Sequence, residues 1–214
     1  MKSLKPLFIL FIILLSLVIF LMYALPVLRP GKFFGPADTK GGKDMVIKNY
    51  GAAIDSAANV FGLSASYLKA LCMLECSGKK KFQARFEDHV YRKLKKVKFK
   101  QLSNYEHVTP DMLKDANDEA LKNLASSWGP FQLMGYKCLL LDIKIRDIRG
   151  DQAVYYGVKW IDLTYGETLR EKKYKDAFHI HNTGSPFPSN GISKTHDPKY
   201  CNNGLKYMDW FNTH

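Results

Sequence analysis

From Asp44 to Phe61, apolar side chains fall at Val46, Ile47, Tyr50, Ile54, Ala57, Ala58 and Phe61, the three-and-four spacing that turns one face of an α-helix towards a core. Gly62 ends this predicted helix, and Ser64 offers the side-chain oxygen that caps the next. The second helix runs through Leu68, Leu71, Cys72 and Met73 to Glu75, and a Ser77-Gly78 turn follows it. Between Phe82 and Phe99, aromatic and basic residues alternate, which predicts short exposed antiparallel strands or an irregular hairpin. Thr109, Pro110 and Asp111 read as N-cap, first-turn proline and acid of a helix whose apolar face is Met112, Leu113, Ala116, Ala120 and Leu124. A second start signal at Ser126-Ser127-Trp128-Gly129-Pro130 leads towards a helix from Phe131 to Leu141. Further helices are expected over Asp151 to Leu163, Arg170 to Ile180 and Pro198 to Phe211. The fold class is mainly α (α+β), with a small β-hairpin region.

Ahead of this domain, Leu7 to Leu25 carry no charged residue, and at 1.5 Å rise per residue the run nearly crosses a hydrocarbon core of about 30 Å. It predicts one N-terminal transmembrane helix in residues 1–28. No small-x-small cleavage site follows the run, so an uncleaved anchor is favoured over a signal peptide. Residues 29–43 are rich in Gly, Pro and Lys without apolar period and read as a flexible linker. Residues 44–214 form the folded domain. Basic residues flank the apolar run on both sides, so charge counting leaves its orientation open. A single span of this type places the C-terminal domain outside the cytoplasm, on the periplasm or wall side, or in a virion membrane.

The chain carries 32 basic and 20 acidic residues, net +12. Without the first 43 residues, which hold six basic and one acidic, 26 basic residues face 19 acidic ones. Lys79 to Lys100 alone hold ten basic and two acidic, so the domain's excess charge is one local patch suited to an anionic polymer or membrane surface. Aromatics interleave it, but no nucleic-acid module accompanies them, and no nucleic acid is expected as a partner. Cys72 and Cys76 share a helix face with poor geometry for bridging each other. Pairing with Cys138 or Cys201 and free buried thiols both remain open. Finger-like Cys/His spacing is absent, and no metal or other cofactor is expected.

Glu75 is the most informative position. A carboxyl that closes a mostly apolar helix is partly desolvated, which raises its pKa and suits it to donating a proton.

Three segments then follow in order: Glu75-Cys76-Ser77-Gly78, Ser126-Ser127-Trp128-Gly129-Pro130-Phe131-Gln132-Leu133-Met134, and His181-Asn182-Thr183-Gly184. Together they resemble the lysozyme-like muralytic enzymes: lytic transglycosylases, goose-type lysozymes and, nearest, the phage and bacterial N-acetylmuramidases, in which a Phe-Glu-x-His segment follows the catalytic Glu. Phe86-Glu87-Asp88-His89 fits that segment, and the resemblance covers roughly residues 50 to 210. Cys76 stands where such enzymes often carry Ser, His181 where they carry Tyr, and Pro130 in the turn before Phe131. The resemblance implies a lysozyme-like domain that cleaves the bond between N-acetylmuramic acid and N-acetylglucosamine in peptidoglycan.

Under that resemblance Glu75 is the general acid, and Glu87, as base or nucleophile, separates a hydrolase from a transglycosylase that needs only one carboxyl. Ser127, Gln132 and Asn182 would hydrogen-bond the acid or a sugar N-acetyl group. His181 would wall the cleft, and Phe131 and Tyr136 would stack on sugars. The implied partners are glycan strands, the membrane through Leu7 to Leu25, and a phage virion or a secretion or conjugation complex. The alternatives are a catalytically inactive wall-binding or assembly protein of the same fold and, less favoured, a membrane-anchored nucleic-acid binder through Lys79 to Lys100.

Overall fold

The structure is a computed structural model that describes residues 39–80 and 84–214. The apolar run Leu7–Leu25 lies outside the described residues. Among those described, no helix is long and apolar enough to cross a membrane.

The domain is mainly helical with one small three-stranded antiparallel sheet. Helix α1 spans Thr39–Val46, beginning within the stretch read as linker, and runs through a wide π-helical turn at Ile47–Gly51 into α2, Ala52–Phe61. Gly62 stops α2 at φ 62°, a left-handed backbone that only glycine adopts without cost. Ser64 accepts a hydrogen bond from the Tyr67 amide at 3.2 Å and starts α3, Ala65–Cys76.

Helix α3 is the centre of the domain. Tyr67, Leu68, Ala70, Leu71, Cys72, Met73 and Cys76 are all buried, because a helix apolar on most of its circumference must be enclosed. Helix α9, Tyr200–Thr213, packs along it, and α1 and α2 cover other sides.

The basic segment departs from expectation. Among its described residues only Arg85–Phe86 form a strand, β1, and Asp88–Lys98 form helix α4. Val90, Leu94 and Val97 lie at i, i+4 and i+7 and are buried, so the apolar stripe decided the structure while the basic residues occupied the solvent face. Thr109 and Pro110 lead only into a 3₁₀ turn, Asp111–Leu113. The helix that follows, α5, Asp118–Leu124, is capped by Asn117, whose side chain accepts from the Ala120 amide at 2.8 Å.

The expected helix from Phe131 is a second correction. Ser126–Trp128 form β2 and Leu133–Met134 form β3, a hairpin closed by Gly129, Pro130, Phe131 and Gln132, with β1 paired to the far side of β2. The Pro130 ring and the left-handed Gln132, φ 48°, suit a tight loop and not a helix start. Helix is confined to α6, Lys137–Leu141. A 3₁₀ turn at Ile145–Ile148 precedes α7, Ala153–Arg170, which kinks at Tyr165. Helix α8 spans Tyr174–Thr183.

The four cysteines are free and buried. Cys72 and Cys76 bring their sulfurs to 3.6 Å across one helical turn, a thiol hydrogen bond and not a disulfide.

Candidate active site

Glu75 is in the last turn of α3, with its side chain 16% exposed, so the carboxyl is largely withdrawn from water yet still reachable. Burial raises its pKa from the ordinary 4.5 to about 7, opposed by a hydrogen bond from the Tyr200 hydroxyl and by the positive charge of Arg85. Near neutral pH the group is therefore close to half protonated.

The turn that carries Glu75 is built by close backbone contact. Gly78 has φ 70°, and a β-carbon there would lie 2.4 Å from the Val46 nitrogen, so this position admits no side chain. Asn49 donates to the Gly78 carbonyl at 2.8 Å and the Tyr50 hydroxyl to the Lys79 carbonyl at 3.0 Å. Both donors come from the π-helical turn, which re-aims them off the regular helix path.

Tyr200, the first residue of α9, donates to Glu75 Oε1. Burial and the neighbouring carboxyl hold the phenol well above its ordinary range, so it remains a donor. The loop that delivers Tyr200 is pinned by His179, which is fully buried. Its Nδ1–H donates to the Ser185 carbonyl at 2.6 Å, and its Nε2 accepts from the Lys194 amide at 3.1 Å.

His181 stands on α8 with Nε2 3.9 Å from Glu75 Oε1. Its Nε2–H donates to the Phe131 carbonyl at 3.1 Å, which leaves Nδ1 to accept from the Tyr165 hydroxyl at 2.7 Å. Carbonyl and phenol thus define the tautomer. Burial, aided by the charge of Lys137, lowers its pKa to about 3, so the contact with Glu75 is not an ion pair. Tyr67, on α3, is buried with its hydroxyl beside that of Tyr165.

The remaining residues singled out in the sequence divide sharply. Ser127 donates to Gln132 Oε1 at 2.8 Å and Gln132 Nε2 donates to the Gly129 carbonyl at 3.1 Å, so both polar groups are spent inside the β2–β3 hairpin. Phe131 is 1% exposed, its ring lying where a β-carbon on Gly157 would be only 2.4 Å away. Tyr136 is likewise a core residue, edge-on to Tyr105 at 5.6 Å between ring centroids. Phe131 therefore meets the site through its carbonyl, and neither ring offers an open stacking face. Asn182 is exposed. Glu87 pairs with Arg85 Nε at 2.8 Å and lies 3.8 Å from His89 Nδ1. The Arg85 charge lowers the pKa of Glu75, while Glu87 makes no contact with Glu75 among the described residues.

Tyr200, Tyr165 and Arg85 are the site residues that sequence reasoning missed. A tyrosine opening a helix or sitting mid-helix carries no local mark of function, and only the kink at Tyr165, φ −148°, distinguishes it in the structure. Two surface concavities, of about 300 and 350 Å³, open along Lys172–Asp176 with Leu205 and along Asp162–Thr168 with Arg170. Tyr165 lines the second and Glu75 neither. Among the described residues no three His, Cys, Asp or Glu side chains gather as a metal ion would need. Comparison with known proteins finds no match to this chain among protein-family models, curated proteins or solved structures.

Proposed function

We propose that this chain is a peptidoglycan-cleaving glycosidase, a lysozyme-like muramidase or lytic transglycosylase, with Glu75 as its general acid. The observation that carries the reading is a carboxyl near half protonation at pH 7 that keeps a small opening to solvent. With the Tyr200 hydroxyl fixed on Oε1, the labile proton sits on Oε2, the oxygen left free to meet a glycosidic oxygen. Neutral His181 stands by without drawing that proton into an ion pair, and a helical domain with a small antiparallel sheet, whose hairpin loop anchors His181, is consistent with the lysozyme-like resemblance.

Protonating the leaving oxygen contributes on the order of a hundredfold to ten-thousandfold. The intermediate then partitions on Glu87. If its carboxylate orients a water or attacks the sugar, the products carry reducing ends; if the muramic 6-hydroxyl attacks with Glu75 acting as base, they carry anhydro ends. Tethered through Leu7 to Leu25 with its domain outside the cytoplasm, such an enzyme would open the wall locally, for a virion or a secretion or conjugation complex. The exposed basic face of α4 suits an anionic wall or membrane.

The test is clearing of a peptidoglycan gel by the purified full chain, abolished in Glu75→Gln, followed by mass spectrometry of the released ends. No clearing by the unmutated chain would sink the enzymatic reading. One observation favours a second reading, an inactive wall-binding or assembly protein: the polar groups of Ser127 and Gln132 are satisfied by the hairpin itself, and this reading expects binding to sacculi without release of fragments.

A further inference from the structure

We propose that Lys137, held over the Trp160 ring, forms a carboxylate-binding subsite that takes the anionic arm of a muramyl residue. The sugar's identity rests on the glycosidase reading; the subsite itself rests on the geometry around Lys137.

Lys137 opens α6, directly after the core residue Tyr136. Its ammonium stands 4.8 Å above the centroid of the Trp160 ring. By contrast Lys69, another withdrawn lysine with its side chain 18% exposed, meets the Asp55 carboxylate at 2.7 Å. Lys137 is half-buried and has neither an ion-pair nor a hydrogen-bond partner among the described residues. Only the more distant charge of Glu106 supports it, and burial lowers its pKa to about 8.

An ammonium that has given up water and gained only an aromatic face is under-compensated. An anion supplied by a ligand restores what burial removed. Trp160 lies on α7 between Gly157, which abuts the Phe131 ring, and Tyr165, which hydrogen-bonds His181, so Lys137 stands against the helix that supports the acid's neighbour.

A second cation repeats the arrangement. Arg149 lies 4.4 Å over the Trp128 ring, and Trp128 and Trp160 pack on the same apolar cluster of Leu133, Cys138, Leu141 and Ile148. Two cations, each held on an indole of the same cluster, suit a ligand with carboxylates better than a neutral chitin-like strand.

The probe is covalent footprinting of the full-length chain with acetic anhydride, read at Lys137 by mass spectrometry. N-acetylmuramic acid and N-acetylmuramyl-L-alanine should each slow Lys137 acetylation several-fold, while N-acetylglucosamine, which lacks the carboxylate, should not. Whichever muramyl probe protects more tells whether the lactyl or the peptide carboxylate is the ligand. Lys137→Gln should weaken binding of the muramyl probes about tenfold, the usual scale for losing a hydrogen bond to a charged group, and leave N-acetylglucosamine unaffected. Equal protection by all three sugars, or none by any, would overturn the subsite. Clearing of peptidoglycan by the unmutated chain without Lys137 protection refutes the subsite alone; protection without clearing supports it and removes the cleavage reading instead.

Discussion

The hydroxyl of Tyr200 donates to Glu75 Oε1 across 125 residues of sequence, joining the first turn of α9 to the last turn of α3. This bond favours the ionised carboxyl and so works against the burial that raises its pKa. Tyr200→Phe should therefore push the Glu75 pKa higher still. The pH dependence of kcat/KM, whose basic limb reports the essential acid of the free enzyme, should show that limb moving upward. A limb that stays in place would separate Tyr200 from the acid's titration.

Glu75→Gln should abolish cleavage yet stabilise the fold in mild alkali. The folded pKa, about 7, exceeds the ordinary 4.5, so the stability this group contributes is complete below pH 4.5 and lost as pH rises through 7. At about 1.4 kcal/mol for each pH unit separating the two values, ionisation costs the fold roughly 3 kcal/mol. Thermal melts at pH 8 should place the Gln variant above the unmutated chain, with the gap closing towards pH 4.5.

His181 works in the opposite sense. Its pKa falls from 6.5 to about 3, so its contribution is complete above pH 6.5 and lost as pH falls towards 3. Between pH 4.5 and 6.5 the two groups oppose each other. Melting temperature should therefore change little across that interval in the unmutated chain, and His181→Asn should expose the falling trend of Glu75. A variant that keeps the flat interval would contradict this pairing.

Arg85 and Glu87 should tune the acid from the sheet side. Arg85 lowers the Glu75 pKa and is itself paired with Glu87 at 2.8 Å. Arg85→Gln should move the basic limb of the profile upward, and Glu87→Gln, which leaves the arginine charge uncompensated, should move it downward. Opposite signs from the two halves of one ion pair are the diagnostic; the same sign from both would mean that the pair acts on the fold and not on the acid.

The helix that carries Glu75 was legible because its signals are local: Ser64 caps it, Gly62 ends the helix before it, and Leu68, Leu71, Cys72 and Met73 fill its interior face. Helix α4 was misread although Val90, Leu94 and Val97 mark its stripe, because basic residues that simply face water gave the segment an alternating look. The Ser126–Met134 segment was misread because a glycine-proline loop resembles a helix start until strand pairing is known. Glu75 and His181 do come together in space. Tyr200 and Tyr165 were illegible for a physical reason: their roles come from helix packing at long range, and no residue near either in sequence reports it.

Core packing under the site gives a further expectation. A β-carbon at Gly157 would meet the Phe131 ring at 2.4 Å, whereas one at Gly62 meets nothing within 4 Å. Gly157→Ala should cost about 1–3 kcal/mol by overpacking, and by displacing Phe131 it should weaken the carbonyl anchor of His181. Gly62→Ala should cost only about 1 kcal/mol, through its left-handed backbone. Denaturant melts of the two variants check the ranking, and equal losses would remove the packing argument.

The π-helical turn at Ile47–Gly51 has a mechanical meaning. Asn49 and Tyr50 grip the carbonyls of Gly78 and Lys79, just past the acid, while α1 runs back towards the amino terminus. Tension entering along α1 would load the turn after Glu75 together with the buried contact of Val46. Under the glycosidase proposal, the setting of the proton donor would then shift when α1 is pulled. Cleavage rates measured under an applied force at the amino terminus, with Asn49→Ala as the uncoupled control, would read that strain gauge directly.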